Sequence, residues 1–448
     1  MRVFLKSLGC RLNEAELQLW SQQLIDGGFQ LSSMKDADLM ILNSCAVTLE
    51  AARKSRQSIR RLHRENPTAR LVVTGCYASL DSEEVESILG VDLVVSNNQK
   101  EQLVVLIKER FQYDEQMIPA MPAFATEPAA SALYIRNRDR AFIKVQDGCR
   151  YRCSYCIVTV ARGEERSRPV IDIINEINAY ERQGIQEVVL TGVHVGGYGS
   201  DIKTSLMQLV QAILADTTIK RLRFASVEPW DLDEQFFDLF SNPRLMPHMH
   251  LPLQSGSDAI LKKMLRRCDQ KSFSDLANKA TQAVKDFNIT TDIIVGFPGE
   301  SDQHWQESLD FIHKTGFGHI HIFNYSHREG TRAAKLADKI PSNIKKARCQ
   351  ELAIIARKMK QSAMNKMQGR EIEVLWESGK KALPDNQYLF SGYTPNYQRV
   401  LVKTELDISG LILPVKLASY SEEDNALKAK LLRPIGDINQ HLISVKQI

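Results

Sequence analysis

Three cysteines stand within eight residues, in the segment Cys149-Arg-Tyr-Arg-Cys153-Ser-Tyr-Cys156. A short loop with this C-x3-C-x2-C spacing can wrap three thiolates around three corners of an iron–sulfur cube. Such clusters are held by cysteine thiolates, usually four. With only three supplied, one iron stays open to a small molecule. Structural zinc is the competing chemistry, but it wants four closed ligands, commonly from two C-x2-C knuckles.

A second set is dispersed. Cys10, Cys45 and Cys76 stand 35 and 31 residues apart, a spacing that says nothing alone. Their places after strands say more. Apolar runs at Val3–Ser7, Leu39–Leu42 and Leu71–Thr74 read as strands, and each cysteine lies just past a carboxyl end. In a parallel sheet those ends share one edge, where ligands bind. Three thiolates at one edge make a second three-cysteine cluster with an open iron. Buried, unreactive cysteine remains the alternative. Cys268 and Cys349 fall outside both sets and read as bystanders.

The elements that must position these residues follow from periodicity. Strands alternate with helices (Glu14–Asp26, Thr48–Arg64, Ser82–Leu89, Lys100–Phe111) through residues 1–116, which argues for a parallel-sheet α/β domain. A Pro- and Ala-rich linker spans 117–138. Alternation resumes over 139–369, with strands expected at Phe142–Val145, Glu187–Leu190, Arg221–Ala225, Met249–Leu253, Asp292–Val295 and His319–Asn324. Six βα units suit a partial (β/α)6 TIM-like barrel, and an amphipathic helix, Asn343–Met367, trails it. Residues 370–448 change to short strands, which read as a small antiparallel β-barrel of the kind that binds oligonucleotides. The fold class is thus α/β multidomain.

Composition bounds the rest. The 448 residues are 43% hydrophobic and 25% charged with a net charge of +4, ordinary for a soluble globular protein. No run approaches the ~18 apolar residues of a membrane span. A secretory signal is not expected at MRVFLKSLGC, and eight cysteines are too few for a disulfide scaffold. A cytoplasmic location without a membrane partner is expected.

The central triad resembles that of the radical S-adenosylmethionine superfamily. There the open iron chelates S-adenosylmethionine, and one electron from the cluster releases a 5′-deoxyadenosyl radical. The segments SLGCRLNEAE, ILNSCAVT and VVTGCYA, with LTGVHVGGYG, HLPLQSGSD, DIIVGFPGE and YSHREGT, resemble the methylthiotransferase family over essentially the whole chain. The resemblance implies two [4Fe–4S] clusters, the auxiliary one on Cys10, Cys45 and Cys76 carrying the sulfur to be transferred. It also implies a radical SAM core, S-adenosylmethionine, a one-electron donor such as a flavodoxin or ferredoxin, and a C-terminal TRAM domain. NSCAVT, VTGCYA and GYTPNYQRV are most similar to the branch acting on N6-threonylcarbamoyladenosine beside the anticodon of tRNA. The alternatives are the branches acting on isopentenyladenosine or on a ribosomal-protein aspartate, and a non-enzymatic zinc-stabilised RNA-binding protein.

Further site residues are expected around these sets. Tyr155 matches the aromatic that packs near the adenine of the cofactor. Gly192, His194, Glu228, Gln254 and Ser255 follow barrel strands and could bind its ribose or amino acid part, or merely cap loops. For RNA in the anticodon stem-loop, Arg53 and Arg60 lie in a basic helix that also holds Lys54, Arg56, Arg61 and Arg64. Arg162, Arg166 and Arg168 follow the triad and suit phosphates. Tyr393 and Tyr397 could stack on bases or belong to a core.

Overall fold

The structure, a computed structural model, describes residues 1–113, 139–232, 234–384 and 386–432. The expected linker falls outside the described residues, apart from its joint at 139.

The first unit is a parallel sheet of β1 (Arg2–Ser7), β2 (Gln30–Leu31), β3 (Leu39–Ser44), β4 (Arg70–Gly75) and β5 (Leu93–Val95), in the order β2-β1-β3-β4-β5. β3 is buried along its whole length because both faces are covered. Met40 and Leu42 pack under helix Leu49–Glu65 through Ile59 and Leu62. Leu39 and Ile41 face the other way, toward Leu17, Trp20 and Leu24 of helix Arg11–Asp26. Strand alternation alone produces this two-sided core. The short edge strand β2 and the helix Cys76–Leu80 have too few residues to show in periodicity, and the expected helix Ser82–Leu89 stops at Glu86.

The second unit begins with β6 (Arg140–Lys144) and a small hairpin, β7 (Gln146–Asp147) with β8 (Arg166–Ser167). Then come β9 (Glu187–Thr191), β10 (Arg221–Phe224), β11 (His248–His250), β12 (Asn288–Val295) and β13 (His319–Asn324). Two parallel triplets, β6-β9-β10 and β11-β12-β13, join at a parallel bridge between Ser226 and His250. All six expected strands are present, and they form the open TIM-like sheet. Ile143, Val188, Leu222, Met249, Ile289 and Ile320 point outward into the main core with the surrounding helices. The alternate residues therefore point inward, and most are polar or charged.

The third unit comprises β14 (Glu371–Trp376), β15 (Lys381–Ala382), β16 (Tyr388–Tyr393), β17 (Arg399–Thr404), β18 (Ile412–Ser421) and β19 (Ala426–Leu431). It is a mixed sheet, because β17 and β19 run parallel while the other pairs are antiparallel. This corrects the purely antiparallel expectation. β16 and β15, between Trp376 and Arg399, lie in a Gly- and Ser-broken stretch with no clean alternation. β14 also pairs with β16 as well as with β18.

Two contacts lock the units together. Helix Arg11–Asp26 lies along β6, where Gln18 Oε1 accepts from the Phe142 backbone N–H at 3.1 Å and Ala15 packs on Phe142 and Val189. At the opposite, amino-terminal end of the barrel strands, the C-terminal unit inserts Tyr393 and Tyr397. Their rings stack 4.7 Å apart, and the Arg140 and Arg223 guanidinium groups lie 4.6 Å from the Tyr393 and Tyr397 ring centroids respectively.

Candidate active site

The carboxyl ends of β1, β3 and β4 carry the first cysteine set. Cys10 caps the following helix, Cys45 comes directly after β3, and Cys76 opens the helix Cys76–Leu80. The loops touch. Gly9 has φ +101°, and a Cβ there would lie 2.6 Å from Cys45 Sγ, so only glycine lets the two chains approach. Buried Ser55 clamps Cys45 by accepting from its N–H at 3.0 Å and donating to its carbonyl at 2.8 Å. Desolvation pushes the Cys45 thiol up to about 11, and Cys76 and Cys10 raise it further by their own charge, against a hydrogen bond from the Val47 backbone. The three thiols therefore lie within electrostatic reach of one another.

The second set sits on the loop between β7 and helix Val158–Arg162. The loop turns at Gly148 (φ +71°), where a Cβ would lie 1.8 Å from the Glu164 carbonyl oxygen. The Cys149 N–H donates to Gly163 at 3.0 Å, and Cys156 to Cys153 at 3.0 Å, which closes the loop on itself. Ser154 anchors it to the barrel through Met264 and Lys263 carbonyls. Desolvation is the main cause raising Cys149 to about 12 and Cys156 to about 11, with the other thiols of the set adding to it. Without metal these thiols are protonated at neutral pH, so metal uptake must release protons.

The two sets face each other. Helix Cys76–Leu80 packs on helix Val158–Arg162, and Cys156 feels the charge of Cys76. Arg162 joins them. It donates to Cys76 Sγ (3.3 Å), Asn13 Oδ1 (2.7 Å), Glu16 Oε1 (2.8 Å) and Asp147 Oδ1 (3.0 Å). Lys100 and Lys144 pair with the same two carboxylates, and all five charged side chains are at least nine-tenths buried. Three cations meet two anions, so the network carries a surplus of one positive charge beside the sulfurs. A buried cation of this kind favours thiolate over thiol and suits an anionic cluster.

Among the described residues, neither cysteine set forms a group of three whose ligand atoms all lie within 4.8 Å, whereas Cys149 does so with Glu165 and His194. Thiolates on a single tetrahedral zinc, bound at ~2.3 Å, would stand about 3.8 Å apart. A cube of four irons needs the wider opening.

Between triad and barrel lies a cluster of buried polar side chains. His194 is fully buried, with Nε2 2.5 Å from Asp231 Oδ2 and Nδ1 on Glu165. Burial opposes its charge, but the hydrogen bond to Asp231, the charges of Glu228 and Asp231, and the hydrogen bond to Glu165 outweigh this and raise it to about 9. His194 is thus a structural cation here. Glu228, behind it, has Oε2 buried without a hydrogen-bond partner, and desolvation raises its pKa. Such an orphaned acceptor fits an amine- or hydroxyl-bearing ligand. Gln254 sits at φ +78° in the same region, and Ser255 meets Ser308 at 3.3 Å. Gly192 approaches the Gln146 carbonyl so closely that a Cβ would lie 3.0 Å from it. Tyr155 packs among Ile260, Met264 and Phe297. Sequence reasoning missed Glu165, Asp231, Tyr151 and Arg266, which join this cluster without any motif of their own.

Three expected RNA contacts are corrected, Arg162 among them, since it is buried in the ion network above and faces no phosphate. Arg168 donates to Glu176 (2.6 Å) and to the Lys144 carbonyl (2.7 Å), so it braces the barrel. Tyr397 is wedged between Tyr393, His248 and two arginines at the barrel floor, which leaves no free face for a base. Arg166 remains partly exposed beside the triad. Arg53 and Arg60 are exposed on helix Leu49–Glu65, whereas Lys54 and Arg61 are paired with Glu50 and Glu65. Cys268 is buried within electrostatic reach of Cys153, and Cys349 donates to Asn324 at 3.2 Å.

Comparison with known proteins bears on this geometry. The radical SAM superfamily model matches residues 143–312, and the model described as uncharacterized protein family UPF0004 matches residues 2–96. The threonylcarbamoyladenosine tRNA methylthiotransferase MtaB of Bacillus subtilis is 32% identical over 446 residues, covering 97% of this chain and 98% of its own. The chain belongs to the radical S-adenosylmethionine methylthiotransferase family. This methylthiotransferase is also similar to the tRNA-2-methylthio-N(6)-dimethylallyladenosine synthase of Staphylococcus aureus, at 33% identity over 93% of this chain and 82% of the other. Its fold resembles a solved radical S-adenosylmethionine methyltransferase, TsrM from Kitasatospora setae with cobalamin and a [4Fe-4S] cluster bound. The TM-score is 0.55 at 16% identity, over 72% of this chain and 74% of that one. No helix among the described residues of the methylthiotransferase is long and apolar enough to cross a membrane.

Proposed function

We propose that this enzyme converts N6-threonylcarbamoyladenosine beside the tRNA anticodon, at position 37, to its 2-methylthio derivative. The observation that carries the reading is the juxtaposition of two three-cysteine sets where helix Cys76–Leu80 packs on helix Val158–Arg162. Cys149, Cys153 and Cys156 hold one [4Fe–4S] cluster, and Cys10, Cys45 and Cys76 hold the second. Tyr155, Gly192, Glu228, Gln254 and Ser255 surround S-adenosylmethionine. When bound, these groups supply the one-electron chemistry that opens an unactivated aromatic C–H bond, which acid–base catalysis does not break.

The chain's own residues do the positioning. The orphaned Glu228 carboxylate accepts from the cofactor's polar groups, and the Gln254 backbone turn presents the loop that follows β11. Arg162 sets a positive field between the two clusters. Helix Arg11–Asp26 roofs the barrel beside β6 and keeps water from the reacting centre. The third unit, whose β14 pairs with both β16 and β18, is read as a small closed TRAM-like barrel that grips RNA together with Arg53, Arg60 and Arg166. A flavodoxin or ferredoxin in the cytoplasm supplies the electron.

The names of relatives such as the Bacillus subtilis enzyme support the threonylcarbamoyl substrate, as do NSCAVT and VTGCYA. The test is mass spectrometry of tRNA nucleosides from a strain lacking the gene. Methylthio-threonylcarbamoyladenosine should vanish, and its persistence rejects the assignment. Anaerobically prepared protein should be brown with about eight irons per chain.

A further inference from the structure

The three inward-facing residues His250, Asp292 and His321 come from adjacent strands β11, β12 and β13. Their ligand atoms all lie within 4.8 Å of one another. His250 Nε2 meets Asp292 Oδ1 at 3.1 Å, and its Nδ1 meets Thr290 Oγ1 at 2.9 Å. This fixes the ring and leaves Asp292 with acceptor capacity to spare. His321 is exposed to the barrel opening. Its imidazole is held below its usual range by desolvation and then by the His250 charge, with Asp292 opposing and Lys360 and Arg11 adding. Neutral, it offers one donor and one acceptor.

Arg11 comes from the N-terminal unit, next to Cys10. Its guanidinium lies 4.9 Å from the ring centroid of Phe142, on the opposite edge strand of the open barrel. Its ion pair with Glu14 is loose, at 3.4 Å with both side chains partly exposed. A cation, a neutral imidazole and a carboxylate thus line the opening between β6 and β13, beneath the junction of the two cysteine sets. The pathway of the proposed chemistry uses none of them.

Relatives of near-equal similarity bear names with two different N6 substituents. Threonylcarbamoyl carries a carboxylate, a hydroxyl and urea N–H groups. Dimethylallyl is hydrocarbon. The threonylcarbamoyl name stands at 32–38% identity and the dimethylallyl name at 33%. The chemistry of the opening fits the first. An arginine matches the carboxylate, Asp292 accepts from hydroxyl or urea N–H, and His321 can do either. A hydrocarbon placed there would strip water from these groups and replace none of their hydrogen bonds, the situation in which polar sites discriminate most strongly.

We propose that Arg11 and His321, set beside His250 and Asp292 of the family-wide HLPLQSGSD and DIIVGFPGE segments, form a subsite for the N6 substituent of the target adenosine, selecting a carboxylate-bearing substituent over an apolar one. The proposal rests on the tRNA reading above and assigns its specificity to these side chains.

The test uses reconstituted holoenzyme and three anticodon stem-loop RNAs with threonylcarbamoyl, dimethylallyl or unmodified adenosine. Binding is read by fluorescence anisotropy and methylthiolation by mass spectrometry. Wild type should favour the threonylcarbamoyl RNA. His321→Phe and Arg11→Gln should each lower that preference about 10- to 100-fold in both readouts, the scale of one or two lost charge-assisted hydrogen bonds. The ratio between substrates on one preparation is insensitive to partial misfolding. Iron content confirms that Arg11→Gln keeps its clusters; should it lose them, His321→Phe decides alone. Equal losses on all three RNAs, or an unchanged ratio, overturn the subsite and leave the tRNA reading standing. Wild-type inactivity on every RNA overturns that reading and the subsite with it.

Discussion

Replacing Arg162 with methionine tests whether one side chain couples the two cysteine sets. The arginine is 1% exposed and reaches Cys76, Asn13, Glu16 and Asp147 at 2.7–3.3 Å. Removing one member of a buried ion pair typically costs about 3–5 kcal/mol, because the partner charge is left uncompensated. Here Lys100 and Lys144 still face Glu16 and Asp147, so two cations balance two anions and the expected loss is at the low end, about 3 kcal/mol. The surplus positive charge beside Cys76 disappears as well. Urea unfolding of the metal-free protein reads the first effect, and iron analysis after reconstitution reads the second. The variant should hold about four irons rather than about eight. Arg162→Lys, which keeps the charge but not the planar fork, should recover stability better than iron. An Arg162→Met protein with wild-type stability and a full iron complement would refute the reasoning.

Other perturbations separate the parts. Gly148→Ala forces a Cβ onto the Glu164 carbonyl, so the central triad loop should fail to close and the protein should lose about half its iron, by the same analysis. His194, raised to about 9 from an unfolded value near 6.5, contributes stability that is full below about pH 6.5 and is lost as pH rises through about 9. Melting curves of wild type should therefore decline over that window, and His194→Gln should flatten the decline. Tyr397→Ala removes ring contacts to Tyr393, His248, Arg140 and Arg223, so limited proteolysis should show a loosened C-terminal unit, and RNA affinity should fall only in step with that loosening. A collapse of affinity with docking intact would return Tyr397 to base stacking.

The sequence made legible what obeys short rules. β13 appears with the expected boundaries and helix Arg11–Asp26 ends at the expected residue, because period-two and 3.6-residue patterns are local. The convergence of Cys10, Cys45 and Cys76 could also be read, since parallel sheets align strand ends on one edge. What could not be read depends on packing between distant segments. Arg168 looks like a phosphate ligand by type and is a brace only because Glu176 lies one helix away. Tyr397 reads equally well as surface aromatic or plug until the arginines of β6 and β10 are seen beneath it. Glu165 and Asp231 acquire their role solely from His194. The parallel pairing of β17 with β19 follows from how the chain crosses the sheet, which strand composition does not encode.

The roof over β6 has a consequence for where the chain can be divided. Without helix Arg11–Asp26, the Phe142 N–H that Gln18 satisfies would belong to an open strand edge, ready to pair with any other chain. The barrel cannot shed the first unit without becoming adhesive. Nor can it accept a foreign one that lacks a matching glutamine and the Glu16–Arg162 junction. Excising the first unit should therefore expose that edge, and artificial chimeras should be cut elsewhere, at the joint that leads into β14.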